Sequence, residues 1–187
     1  MPRPPRPQIA GGLYHVTDHS NLRRVVFESD HERGKFLEVL AYAVQRHGWS
    51  CRDYCLLSTH YHLLVQTPLP DIAAGMQYLN GRYAQWANWS RTERGHVFEG
   101  RYGAELVKTD GHALEVHRYI ALNPVRAGLV RDPEDWPWSS LPALLGRERP
   151  PAFLDVNGAL GLFGSTTSTA RRRLRMFIGD GLARDRA

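Results

Sequence analysis

Lysine is almost missing from this chain: Lys35 and Lys108 are the only two, so nearly all of the 24 Lys+Arg are arginines. A surface of point-like ammonium charges is excluded, and what remains is planar guanidinium forks, which grip phosphate bidentately and stack on bases. Cysteine is scarce too. Cys51 and Cys55 have no second pair and lack the close spacing of redox or zinc motifs, which excludes a disulfide framework and fits a reducing compartment. No apolar run approaches the roughly 18 residues of a membrane helix. The start, Met1-Pro2-Arg3-Pro4-Pro5-Arg6-Pro7, lacks the apolar core of a signal peptide. The expectation is a soluble, cytoplasmic protein with no membrane partner.

What is present is ordinary globular composition: 187 residues, 42% hydrophobic and 23% charged, enough for one sizeable core. The 24 Lys+Arg against 19 Asp+Glu leave a net charge of +5. With a pI of about 9.5, nucleic acid becomes a reasonable partner.

Proline removes donors and fixes φ, so residues 1–7 read as an extended arm that lies along a phosphate backbone. Leu13 to Thr17 has strand composition. Asp30 reads as the N-cap of a helix to about His47, with Phe36, Leu37, Leu40, Ala43 and Val44 at helical spacing and Gly48 at the C-cap. Cys51 to Leu57 and Tyr61 to Thr67 read as antiparallel strands, the second with clear alternation. Asp71 then caps a helix whose apolar stripe, Ile72, Met76, Leu79, Tyr83 and Trp86, continues to about Trp89. After a turn at Arg94-Gly95, His96 to Val107 is strand-like, broken by Gly100 and Gly103. Asp110 opens a third helix that ends near Asn123-Pro124, because the residue before proline avoids the helical region. Beyond Trp136-Pro137-Trp138 the chain is loop-rich, and Ala170 to Ile178 reads as a short basic helix.

The order strand, helix, strand, strand, helix, strand, helix predicts an α+β fold: a ferredoxin-like split βαβ with an antiparallel sheet, helices mainly on one face, and one appended helix.

Two stretches carry chemistry. In Thr59-His60-Tyr61-His62-Leu63 on a strand, His60 and His62 share a face, about 6 to 7 Å apart along the backbone, and can converge on one metal ion. The plain alternative is two half-exposed strand residues. A zinc hydrolase is also open, with His15, His96 or Cys55 as a third ligand. In His117-Arg118-Tyr119-Ile120-Ala121-Leu122-Asn123-Pro124, Tyr119 and Asn123 are four apart, hence on one helix face. There the alternative is a packing stripe of Val116, Tyr119, Ile120 and Asn123.

Taken together, Gly12-Leu13-Tyr14-His15-Val16-Thr17, His60-Tyr61-His62-Leu63-Leu64, Asn80-Gly81-Arg82-Tyr83, Gly95 to Tyr102 and Tyr119 to Ala127 resemble the REP-associated tyrosine transposases, members of the HUH single-tyrosine class. The resemblance spans about Met1 to Leu145. It implies a DNA strand transferase and single-strand endonuclease acting in transposition and DNA recombination. Tyr119 would be the nucleophile, and His60, His62 and Asn123 would hold Mg²⁺ or Mn²⁺. The substrate would be single-stranded, hairpin-forming DNA cleaved through a 5′-phosphotyrosine link. The chain is expected to divide into an extended basic arm over residues 1–11, the transposase domain that the resemblance implies over 12–145, and a loop-rich basic tail with a short helix over 146–187. Monomer and homodimer both stay open, and DNA binding would associate the protein with the nucleoid. Two departures stand out: Ser58-Thr59 where relatives often have Pro-Asn, and Gly103 where a basic residue is common.

Arg3, Arg6, Arg82, Arg101, Arg126, Arg171, Arg172, Arg173 and Arg175 are the expected phosphate contacts. Trp136 and Trp138 are read as covering the core edge in preference to stacking on bases. A non-catalytic nucleic-acid module remains a competing reading, since Arg101-Tyr102-Gly103-Ala104 faintly resembles the aromatic strand motif of RNA-recognition domains.

Overall fold

The structure is a computed structural model, and it describes residues 8–20, 25–92 and 95–186. Arg3, Arg6 and Arg94 lie outside the described residues.

Four strands, β1 (Leu13–His19), β2 (Ser50–Leu56), β3 (His60–Gln66) and β4 (Gly103–Val107), make one sheet in the order β2-β3-β1-β4. Each neighbouring pair is antiparallel, so β1 and β2 run the same way with β3 between them, the expected split βαβ arrangement. Helices α1 (Asp30–His47) and α2 (Ile72–Ser90) make the two crossovers.

The alternation along the strands decides which layer each residue joins. Tyr14, Val16, Tyr61, Leu63 and Val65 enter the large core beneath Phe36 and Leu40 of α1 and Met76 and Leu79 of α2. Burying a large apolar side chain of this kind contributes about 1.5–3 kcal/mol. Residues of the opposite parity, Leu13 and Leu64, join Cys55 and Val107 in a smaller core with Val116 and Ile120 of α3 (Asp110–Arg126). The sheet is therefore a middle layer: α1 and α2 cover one face, and the appended helix takes the other.

Several boundaries are corrected. Ser29, not Asp30, caps α1: its side chain accepts from Glu32 N at 3.3 Å, while Glu32 Oε2 accepts from Glu28 N at 2.6 Å. Gly48 takes the left-handed conformation, φ 62°, expected of a C-cap. Asp71 stands at the N-cap of α2 but makes no side-chain cap bond; its carboxylate accepts from Trp49 Nε1 and pairs with His47. The strand expected over His96 to Val107 begins only at Gly103, with Phe98 making an isolated bridge to Ser20.

Helix α3 continues past Pro124 to Arg126. Pro124 removes one donor, yet Ala127 N still bonds Asn123 O and Leu129 N bonds Pro124 O, both at 2.9 Å. Burial of Leu122, Asn123 and Pro124 holds the last turn in place.

Within the arm expected over residues 1–11, the described part is not extended. Gly12 N bonds Ile9 O, and Gly11 N bonds Thr67 O, which makes a turn against the end of β3. The tail is also more ordered than expected. After a 3-10 turn at Pro133–Asp135 come α4 (Leu141–Leu144), α5 (Val156–Leu160) and α6 (Thr167–Asp185). The last is a 19-residue helix rather than a short one, because Ala170, Leu174 and Ile178 are buried in the main core.

Candidate active site

Antiparallel pairing of β1 with β3 sets His19 opposite His60 and Thr17 opposite His62. All four belong to the parity that faces α3, so His15, His19, His60 and His62 gather on one face of the sheet. The rings of His19 and His60 stack at 4.8 Å, those of His15 and His62 at 5.3 Å, and His60 meets His62 edge-on at 5.0 Å.

Tyr119 is delivered by α3. Its ring centroid lies 5.2 Å from that of His62 and 5.7 Å from that of His15, edge-on in both cases. It is not part of the buried stripe: Val116 and Ile120 are sealed in the core, whereas Tyr119 is 43% exposed. Asn123, one turn on, is buried at 8% exposure, and its Nδ2 approaches the Tyr119 carbonyl at 3.4 Å.

Burial, reinforced by the imidazoles of His15, His60 and His19, pushes the His62 pKa down to about 2, with the Asn123 side chain acting the other way. Burial and the neighbouring His19 also lower His60, again opposed by Asn123. His15 is lowered by burial against the opposing charges of Glu105 and Asp53. At neutral pH these three imidazoles are uncharged and hold lone pairs, the form a metal requires.

His62 Nε2 is buried and has no hydrogen-bond partner among the described residues. His62 Nδ1 lies 3.2 Å from His15 Nε2, and His60 Nδ1 lies 3.1 Å from Thr59 Oγ1. Thr59 thus retains a hydrogen bond to the pair despite its departure from the common pattern. Among the described residues no three His, Cys, Asp or Glu side chains converge in a metal-holding arrangement. The groups on this face whose chemistry suits a divalent cation are the two neutral imidazoles of His60 and His62 and the Asn123 carboxamide. Of the other ligands considered, His96 is exposed on the loop before β4. Cys55 pairs with His62 in the β2–β3 register, but burial pushes its thiol well above the ordinary range.

The arginines divide. Arg126 is near Tyr119, its guanidinium carbon 5.6 Å from the ring, and it pairs with Asp185 at 2.7 and 3.2 Å. Arg101 lines the same cleft as His19. Arg82 is on α2, on the other side of the sheet. In α6, Arg171 bonds Leu144 O, Arg173 bonds Phe163 O and Arg175 pairs with Glu134, while Arg172 is exposed. Gly103 faces Thr17, whose hydroxyl would lie 2.8 Å from a Cβ there, so the space a basic side chain would leave from is taken. Trp136 donates to Leu56 O, and both it and Trp138 pack against the cores as half-buried covers. Tyr102 is 8% exposed, so it is not offered for base stacking as an RNA-recognition motif requires.

Sequence reasoning did not find His19, nor the support beneath the site. On the sheet's other face, Tyr61 donates to Asn80 Oδ1 and Asn80 Nδ2 donates to Asp18 Oδ2, both at 2.6 Å. Asp18 pairs with Tyr61 in the strand register, so this network ties α2 to the sheet beside His19 and His60.

Residues 9–123 match the family model described as Transposase IS200 like. A Haemophilus influenzae protein that carries the name REP-associated tyrosine transposase is 26% identical over 141 residues, 70% of this chain and 80% of that one. A solved structure of a REP-associated tyrosine transposase bound to a REP hairpin superposes with a TM-score of 0.67, covering 82% of this chain and 90% of that one at 18% identity. That likeness is one of fold.

Proposed function

The chain belongs to the IS200-like transposase family, and from that premise we propose that it cleaves and rejoins single-stranded, hairpin-forming DNA of the REP kind, with Tyr119 as the nucleophile. The observation that carries this reading is the exposed Tyr119 ring 5.2 Å from the His62 ring, with both side chains supplied by one chain. The hairpin as substrate is supported by the DNA held in the structurally similar transposase and by the arginine-rich composition.

His60, His62 and Asn123 are the residues that would hold a divalent cation, Mg²⁺ or Mn²⁺. When bound, the cation supplies Lewis-acid polarisation of a phosphate oxygen. The Tyr119 oxygen attacks the phosphorus: one Tyr O–P bond forms, the bond to the 3′ oxygen breaks, and the departing strand leaves as a free 3′-OH. The phenol gives up its proton to water as it attacks, since the neutral phenol is a weak nucleophile, and the departing 3′ oxygen takes up a proton from water. Arg126, beside the ring, would add positive charge near the phosphate once that group displaces Asp185 from its guanidinium. The phosphotyrosine bond keeps the phosphodiester energy, so attack by another 3′-OH rejoins strands and makes the overall reaction a transfer.

Incubation with labelled hairpin DNA and Mg²⁺ tests the reading. A covalent adduct that disappears in Tyr119→Phe supports it. Cleavage without an adduct would instead mark a hydrolase, and binding alone a non-catalytic module.

A further inference from the structure

We propose that His15 is a positioning residue for His62: it accepts the Nδ1–H of His62 and so holds that imidazole in the tautomer whose Nε2 carries the lone pair, while Glu105 fixes the tautomer of His15.

His15 Nε2 and His62 Nδ1 are 3.2 Å apart, and the two ring planes differ by only 26°. At that distance one proton is shared between them. If His15 donates it, neutral His62 carries its remaining proton on Nε2, an N–H buried without an acceptor. If His62 donates it, His62 Nε2 is a bare lone pair and His15 carries its proton on Nδ1. Negative charge beside His15 favours the second arrangement. Glu105 is the cross-strand partner of His15 in the β1–β4 register, and its carboxylate acts on the His15 imidazole together with that of Asp53. Glu105 acts on His15 through its charge, and a hydrogen-bond acceptor behind a ligand imidazole is the outer arrangement that fixes ring orientation in metal sites.

Tyr119 meets both rings edge-on, at 5.7 Å from His15 and 5.2 Å from His62, and no hydrogen bond joins it to either among the described residues. His112 opposes Glu105, being 3.6 Å from its carboxylate. The Asn123 side chain stands near enough to His62 to favour its protonated form as a hydrogen-bond acceptor, but the contact lacks the geometry of a made bond and leaves Nε2 unsatisfied. His60 shows the same design, with Nδ1 engaged by Thr59 Oγ1 at 3.1 Å.

The tautomer is read in the metal-free chain and needs no metal there; only its use rests on the reading of His62 as a ligand. The test is a long-range ¹H–¹⁵N imidazole spectrum of the metal-free full chain at neutral pH, for the wild type, His15→Phe and Glu105→Gln, with Mn²⁺ titration followed by electron paramagnetic resonance. The expected result is Nδ1–H His62 in the wild type and Nε2–H His62 in His15→Phe, with Mn²⁺ affinity down about tenfold or more. Glu105 is exposed, so its substitution keeps the fold and should give a mixture of tautomers. Nε2–H His62 in the wild type overturns the proposal, as do wild-type tautomers in both variants. If the tautomers follow the expectation but wild-type protein does not bind Mn²⁺, the positioning role stands and the metal reading falls.

Discussion

Asp53 Oδ2 and His117 Nδ1 lie 2.7 Å apart inside the protein, with both residues almost sealed from solvent. This pair joins β2 to α3, and the Ser140 hydroxyl donates to the other Asp53 oxygen, so the segment after α3 is tied to the same carboxylate. His117 is two residues before Tyr119, on the buried side of the helix. The buried anchor and the exposed Tyr119 ring are thus on opposite faces of one turn.

Replacing His117 with Ala strands a buried carboxylate and should lower stability by about 3 kcal/mol. Urea unfolding of His117→Ala, Asp53→Asn and the double variant measures the coupling. A loss below about 1 kcal/mol would mean the pair does not anchor α3.

Glu32 gives the fold an acid limit. Burial alone would raise its carboxyl, but the Arg91 guanidinium, with the Glu28 and Ser29 backbone amides, holds it below the ordinary value of 4.5. Arg91 reaches both carboxylate oxygens at 2.6 and 2.8 Å. A lowered folded-state pKa stabilises fully above the unfolded value, and that contribution is lost as pH falls through the folded value. The stability gap between wild type and Glu32→Gln should therefore be constant from pH 7 to about 5.5 and shrink below about 4.5. A gap that widened in acid would contradict this assignment.

Two imidazoles and a carboxamide suit Mn²⁺ better than Mg²⁺, which prefers all-oxygen shells. Covalent adduct formation should reach half its maximum at a lower concentration of Mn²⁺ than of Mg²⁺ and stop on chelation. Adduct formation unaffected by chelation would remove the cation from the account. His60→Ala should abolish the adduct and leave hairpin binding within about threefold, since phosphate contacts carry most affinity.

Among the basic residues of α6, Arg172 is exposed, whereas Arg175 is paired with Glu134 at 2.8 Å. Arg172→Ala should weaken hairpin binding and reduce the salt slope by about 0.7 to 0.9. The slope of Arg175→Ala should stay nearer that of wild type. Deleting the helix is a poorer test, because Leu174 and Ile178 are part of the core.

The periodic segments were legible because alternation and helical spacing are local. His60 and His62 share a face as the spacing requires, and Asp110 opens the tyrosine helix as expected. What the sequence hid is non-local. His15 and His19 reach the site only through the register of β1 against β3, a pairing between segments more than forty positions apart. Their common parity in β1 was the available signal. Pro124 suggested a helix end, but burial outweighs the one lost bond. Gly179 and Gly181 broke the pattern of α6, whose length comes from packing on α3 and α5. Arg171, Arg172, Arg173 and Arg175 looked alike as sequence, and only the fold separates the three bonded to the protein from the exposed Arg172.

The central claim is that Tyr119 carries the DNA between cleavage and rejoining. Mass spectrometry of the nuclease-trimmed adduct tests it most directly. The account predicts a nucleotide 5′-phosphate on the peptide containing Tyr119, on its phenolic oxygen. A nucleotide on any other residue, or strand cleavage and rejoining with no modified peptide, would contradict it.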